Sequence, residues 1–107
     1  MSEGIPQVGV EELARALTVG APLIDVREAD EFAWARVSGA KLIPLQSVPE
    51  RIDEIPAGQT VYVICKSGGR SAAAVEFLRG QGIDAVNVAG GTLAWIEAGY
   101  EHSTGPL

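Results

Sequence analysis

Residues 61–78 read VYVICKSGGRSAAAVEFL. With Thr60, the first part is a β-branched and aromatic run with little polar alternation. That is the pattern of a central strand buried on both faces. The last part, from Ser71, reads as a helix ended by Gly80 and Gly82. Between them lies Cys65-Lys66-Ser67-Gly68-Gly69-Arg70-Ser71, a strand-to-helix turn that starts on the only cysteine of the chain.

The same alternation of short apolar runs and amphipathic segments continues on either side. VEELARAL places Val10, Leu13, Ala14 and Leu17 at helical spacing. PLIDV at 22–26 follows Gly20 and reads as a strand. EADEFAWA is a short helix with carboxylates in its first turn, where the helix dipole favours them. AKLIPL is a strand stopped at Pro44, and VPERIDEI reads as a helix with Pro49 near its start and Pro56 after its end. DAVNVAGG is a strand with a glycine turn, and TLAWIEAG is a final helix with Leu93, Trp95 and Ile96 available to pack. HSTGPL reads as a frayed tail. The expected fold is therefore α/β, a mostly parallel central sheet of about five strands with helices on both faces. One domain is expected over 1–107, with a core at 5–101 and a flexible tail at 102–107.

The length of 107 residues suits one domain, and 47% hydrophobic residues suffice for one core. Fourteen acidic residues against eight basic give a net charge of −6. No basic stripe exists to meet phosphates, which argues against nucleic acid or an anionic membrane as partner. A single cysteine excludes a disulfide framework and a multi-cysteine zinc site, so neither metal nor organic cofactor is expected. MSEGIPQV has no cationic segment leading into an apolar one, and no apolar run approaches the ~20 residues of a membrane span. A cytoplasmic protein is expected, as a monomer or weak dimer.

In open parallel sheets ligands bind at the carboxyl ends of the strands, and Cys65 sits at such an end. Gly68 and Gly69 let successive N–H groups turn toward one centre. The helix that follows, starting near Arg70 or Ser71, offers its own unpaired N–H groups. Lys66 and Arg70 add positive charge. Each of these favours a thiolate, and a pKa in the range of roughly 3.5–7.5 is expected. A thiolate is the nucleophilic form. An inert core cysteine would need neither the glycines nor the cations.

This loop resembles the active-site loop of single-domain rhodanese-family sulfurtransferases, C-x-x-G-x-R-S. Three further stretches resemble that family in order: LIDVREADEF at 23–32, VSGAKLIPL at 37–45 and VAGGTLAWIEAG at 88–99. Together they cover about residues 5 to 101. The resemblance implies a rhodanese-like fold and an enzyme that moves a sulfane sulfur through a Cys65 persulfide. The donor would be a small anion such as thiosulfate, and the acceptor cyanide, a thiol or a protein. Cys65 would be the nucleophile and Arg70 would hold the loop and complement its charge. Lys66, Ser67, Gly68, Gly69 and Ser71 would bind substrate through N–H groups, hydroxyls and the Lys66 charge. Asp25 and Arg27 match the family's D-V-R and read as a structural ion pair. The chain departs from the family's G-H-I-P-G-A at Ala35–Ala40: Arg36 stands for the histidine and Ser38 for the proline. Arg36 is expected to add a cation to the substrate site, and Trp34 reads as a partner contact or a packed residue. Trp95 reads as core, and His102 as exposed and not a base.

Two other functions fit parts of the pattern. Cysteine-dependent phosphatases and arsenate reductase-like enzymes share the strand–loop–helix, but their loop has five residues between cysteine and arginine where this one has four. A non-catalytic rhodanese-like binding module would not require the cysteine. A redox sensor would need a resolving thiol from another molecule.

Overall fold

The structure, a computed structural model, describes residues 4–106; Met1 to Glu3, and Leu107 at the end of the expected tail, lie outside the described residues. The chain runs β1 (Gln7–Val8), α1 (Val10–Thr18), β2 (Leu23–Asp25), α2 (Ala29–Trp34), β3 (Arg36–Val37), β4 (Lys41–Leu42), β5 (Val61–Ile64), α3 (Gly69–Gly80), β6 (Ala85–Val88), α4 (Gly91–Glu97) and β7 (His102–Ser103). Five strands form one sheet in the order β1-β6-β5-β2-β4, and every pairing in it is parallel. The run that reads as a central strand is the central strand, β5.

Side chains alternate across the sheet with period two, and each face carries its own core. On one face Ile24, Val61 and Val63 pack with Cys65, and with Ala74, Val75 and Leu78 of α3. On the other, Leu23, Ile64 and Val88 pack with Leu13 of α1 and Trp95 of α4. Val10, Ala14 and Leu17, the helical stripe of α1, join this second cluster. Helices on both faces explain why β5 and β6 lack polar alternation: neither face meets water. Asn87 is the exception, a polar residue 2% exposed in the middle of the sheet. It pairs in register with Gln7 of β1 and Val63 of β5.

Two expectations need correction. VPERIDEI does not form a helix. The stretch holds one short 3₁₀ turn, Ile52–Glu54, and a second, Leu45–Ser47, lies just before it. Pro44, Pro49 and Pro56 leave no room for a full α-helix, since proline gives no N–H and restricts the residue before it. The tighter turn brings Arg51 onto Glu54, three residues on, with Nε and Nη2 each donating to a carboxylate oxygen at 2.9 Å. Nor is the tail loose from 102 onward. His102 and Ser103 pair antiparallel with Val37 and Arg36, and the Gly105 N–H donates to the Ala33 carbonyl. Nothing in HSTGPL announces this pairing, because its partner lies on the far side of the domain in sequence.

Leu78 is fully buried against both β5 and the 3₁₀ region. Leu78→Ala is expected to lower stability by about 2–5 kcal/mol. Urea denaturation checks this through a lower midpoint at unchanged slope.

Candidate active site

Cys65 directly follows β5 and points to the α3 face of the sheet, where it is 1% exposed. The Gly68 N–H donates to its Sγ at 3.1 Å, and the Ser71 Oγ lies 3.3 Å from the same sulfur. Gly68 makes this turn in the left-handed region, at φ +116°, immediately before α3 begins at Gly69. That start is one residue earlier than the sequence suggests.

The loop is held from behind by α4. The Cys65 carbonyl accepts from both the N–H and the hydroxyl of Thr92, each at 2.9 Å, and the Lys66 carbonyl accepts from the Leu93 N–H at 3.1 Å. A trans peptide points its N–H opposite to its C=O. Carbonyls drawn toward α4 therefore leave the next N–H groups, those of Lys66 and Ser67, aimed away from α4. The approach is close enough to demand glycine at 91: a Cβ there would sit 2.5 Å from the Lys66 oxygen and 2.6 Å from the Cys65 oxygen, and φ is +61°.

Burial pushes the Cys65 thiol up, but hydrogen bonds from the Ser71 hydroxyl and from the N–H groups of Ser71, Gly68 and Ser67 outweigh it. The net pKa lies below the ordinary thiol value. The direction is the one expected from the sequence, and the leading causes are donors in contact with the sulfur. The Arg70 guanidinium is joined to Glu31 of α2 by a two-pronged ion pair, Nη1 to Oε1 at 2.8 Å and Nη2 to Oε2 at 2.9 Å. That pairing holds the Glu31 carboxyl at about 2 and raises Arg70 above its ordinary value. Arg70 thus ties the first turn of α3 to α2 and fixes the loop from its far end.

Glu31 is a residue the sequence reading did not single out. It also accepts from the Glu28 N–H at 3.0 Å, closing a capping box on α2. The three-residue spacing of Glu28 and Glu31 signals the cap, but nothing local signals Arg70. Asp25 and Arg27 do form the expected ion pair, buried at 0% and 2% exposure. Arg27 donates Nε and Nη2 to the carboxylate, and Nη2 and Nη1 to the Ala35 and Glu31 carbonyls. The pair binds the C-terminal turn of α2 to the carboxyl end of β2.

These supports border a cleft of about 420 Å³ lined by Arg27, Asp30, Glu31, Trp34, Lys66, Thr92 and Leu93. Trp34 and Leu93 are 65% and 39% exposed. Lys66 is exposed and makes no ion pair among the described residues. Ser67 and Gly69 are exposed on the loop, and Ser71 is buried beneath it. Arg36 is not part of this cleft, which corrects the expectation from the sequence. Its Nη1 donates to the Phe32 and Gly105 carbonyls at 3.0 and 2.7 Å, and its guanidinium stacks on the Phe32 ring at 5.0 Å. Those contacts anchor the C-terminal segment. No group of three or more His, Cys, Asp or Glu side chains converges as metal ligands would among the described residues.

Residues 9–98 match the rhodanese-like domain family. The chain belongs to that family. A sulfurtransferase of Allochromatium vinosum is 34% identical over 98 residues, covering 89% of this chain and 92% of that protein. The crystal structure of a rhodanese-related protein from Thermoplasma volcanium superimposes with a TM-score of 0.86 at 33% identity, covering 92% of this chain and 97% of that one. A thiosulfate sulfurtransferase from Pseudomonas aeruginosa gives a TM-score of 0.84 at 26% identity, covering 94% of this chain and 20% of the other. The family and its sulfurtransferase members support sulfur transfer as the class of chemistry. Within the rhodanese-like fold, Cys65 stands in the strand-end position of the loop, and Asn87 and Glu31 are the supporting residues that the sequence reading missed.

Two outcomes follow from the supports. Gly91→Ala is expected to displace the loop, slow alkylation of Cys65 by iodoacetamide at least tenfold, and cost about 1–3 kcal/mol from the positive φ alone; alkylation kinetics and thermal melting check both. The Glu31 carboxyl titrates at about 2 in the folded chain against 4.5 as an ordinary carboxyl. Its pairing with Arg70 therefore stabilises fully above pH 4.5 and is lost as pH falls from there toward 2. Glu31→Gln should flatten that part of the acid dependence of Tm and leave the neutral-to-alkaline part unchanged.

Proposed function

We propose that this rhodanese-like domain is a sulfurtransferase that carries sulfane sulfur as a persulfide on Cys65. The observation that supports it best is the ring of donors around a buried sulfur whose neighbouring carbonyls are turned away. In the first half-reaction the Cys65 thiolate attacks the outer sulfur of thiosulfate. The S–S bond of the donor breaks, and sulfite leaves with its electron pair. The outer sulfur of the resulting persulfide is anionic and compact, and suits a tight ring of N–H groups that need no reorganisation. In the second half-reaction an acceptor attacks that outer sulfur and the Cys65 thiolate is regenerated. Cyanide leaves as thiocyanate, and a thiol leaves as its own persulfide.

Lys66 at the rim draws an anionic donor toward the cleft. Trp34 and Leu93 give the cleft an apolar wall, which suits the carbon skeleton of an organic persulfide, or the chain of a protein thiol, as an alternative donor or acceptor. The four-residue spacing from Cys65 to Arg70 favours a single sulfur over a phosphoryl group, whose three equatorial oxygens each need donors. A reducing compartment such as the cytoplasm suits a working thiol.

Intact-protein mass spectrometry after incubation with thiosulfate tests the proposal. The expected result is a gain of one sulfur atom, lost on adding cyanide with release of thiocyanate. Cys65→Ser should gain none while keeping its far-UV circular dichroism. Absence of sulfur gain from thiosulfate and from organic persulfides alike, or turnover by Cys65→Ser, would overturn it. Hydrolysis of an aryl phosphate would shift the assignment to phosphoryl chemistry.

A further inference from the structure

We propose that Asn87 is a positioning residue for Cys65, one that holds the Ser71 hydroxyl proton away from the sulfur while the sulfur is neutral and yields it when the sulfur is anionic. The inference rests on Cys65 being the reacting thiol.

The orientation of the Asn87 amide is set by its neighbours. The Gly68 carbonyl, 3.3 Å from Nδ2, can only accept, and Nδ2 also donates to Gln7 Oε1 at 2.8 Å. Both amide hydrogens are thus engaged, and Oδ1 must face Ser71. Oδ1 in turn can only accept, so at 2.5 Å it takes the single proton of the Ser71 hydroxyl. That hydroxyl also lies 3.3 Å from Cys65 Sγ. One proton therefore has two acceptors, an amide oxygen and a sulfur.

The state of the sulfur decides between them. A neutral thiol can donate its S–H to Ser71 Oγ, which passes the direction on to Asn87. An anionic sulfur is the stronger acceptor, and the hydroxyl turns toward it by rotation about the Cβ–Oγ bond. No covalent bond forms or breaks in this turn. The S–H proton itself leaves to water or a buffer base as the thiol ionises. When the sulfur carries a second sulfur, the charge moves to the outer atom and the hydroxyl returns to Asn87. The site would thus carry a donor that is present for the thiolate and withdrawn from the persulfide's inner sulfur.

The side chains at the centre of the network are buried, with Ser71, Asn87 and Cys65 at 0%, 2% and 1% exposure, while Gly68 is half-buried and Gln7 is exposed. The charged groups facing the site are Lys66 and Arg70 on the loop, Asp25 and Arg27 at the end of β2, and Glu31 on α2. Thr92 of α4 and Gln7 of β1 are neutral. All these charges are common to the variants compared below and cancel from the comparison.

The test is the pH midpoint of Cys65 alkylation by iodoacetamide, measured in a double-mutant cycle. It needs no sulfur transfer, so its result is independent of the donor or acceptor. Ser71→Ala removes the mobile donor and should raise the midpoint. Asn87→Val removes the competing acceptor and should lower the midpoint by about 0.4–1 pH unit. In the Ser71→Ala background the same change should move the midpoint by a different and less downward amount, since only the contact of Asn87 with the Gly68 carbonyl remains to act there; that contribution is common to both backgrounds and cancels in the difference between the two shifts. Asn87→Asp keeps the shape and serves if the valine variant does not fold. It should raise the midpoint more with Ser71 present than in the Ser71→Ala background, where only its charge acts. Equal shifts in the two backgrounds, or a raised midpoint in Asn87→Val, would reduce Asn87 to a structural residue and overturn the proposal.

Discussion

Thr92 donates its N–H and its hydroxyl to the Cys65 carbonyl while the Leu93 N–H takes the carbonyl of Lys66. These contacts orient two consecutive peptide planes, and with them the N–H groups that follow. A loop of this composition has many conformations available, because glycine restricts the backbone so little. The α4 clamp selects one of them at its first two residues, and the Arg70–Glu31 pair selects it at its last. Gly91 is the condition for the clamp, since any side chain there would occupy the position of the carbonyls it holds. The strand–turn–helix at 61–78 and the glycine turn before α4 are therefore one device, built from segments that meet only across the sheet.

The electrostatics of the thiol follow from the same arrangement. Around it, Asp25 compensates Arg27 and Glu31 compensates Arg70, in a chain of net charge −6. The leading stabilisation of the anionic sulfur comes from dipoles at contact distance, the N–H groups of the loop and the Ser71 hydroxyl. Dipoles of this kind are less exposed to salt screening than a cation at the rim. Lys66, exposed and lining the cleft, is the residue proposed above to meet an anionic donor.

A great deal of this could be read along the chain. β5 reads as a buried strand because its β-branched residues meet apolar side chains on both faces. The stripe of Val10, Leu13, Ala14 and Leu17 orients α1, and Cys65 does lie just past the carboxyl end of the central strand. Where the reading failed, it failed mostly for a reason of range. Apolar spacing at 48–55 suggests a helix, but proline at 44, 49 and 56 breaks the region into 3₁₀ turns. A cation at position 36 looks available for an anionic substrate until the chain returns and the Gly105 carbonyl, 69 residues on, accepts from it. The same return makes a strand of His102 and Ser103.

The sequence by itself determined the alternation of strands and helices, the parallel α/β class, and a lone cysteine in a glycine-bearing loop at the end of the central strand. These depend on local spacing, which burial imprints directly on the order of residues. Tertiary structure decided which donor meets which acceptor. Arg70 finds Glu31 across 39 residues and Ser71 finds Asn87 across 16, and neither partner carries a mark of the other. Hydrogen bonds have a range of about 3 Å, so their pairing is set by how the sheet and its helices close on one another. The character of the thiol is set there, by atoms distant along the chain and in contact in the fold.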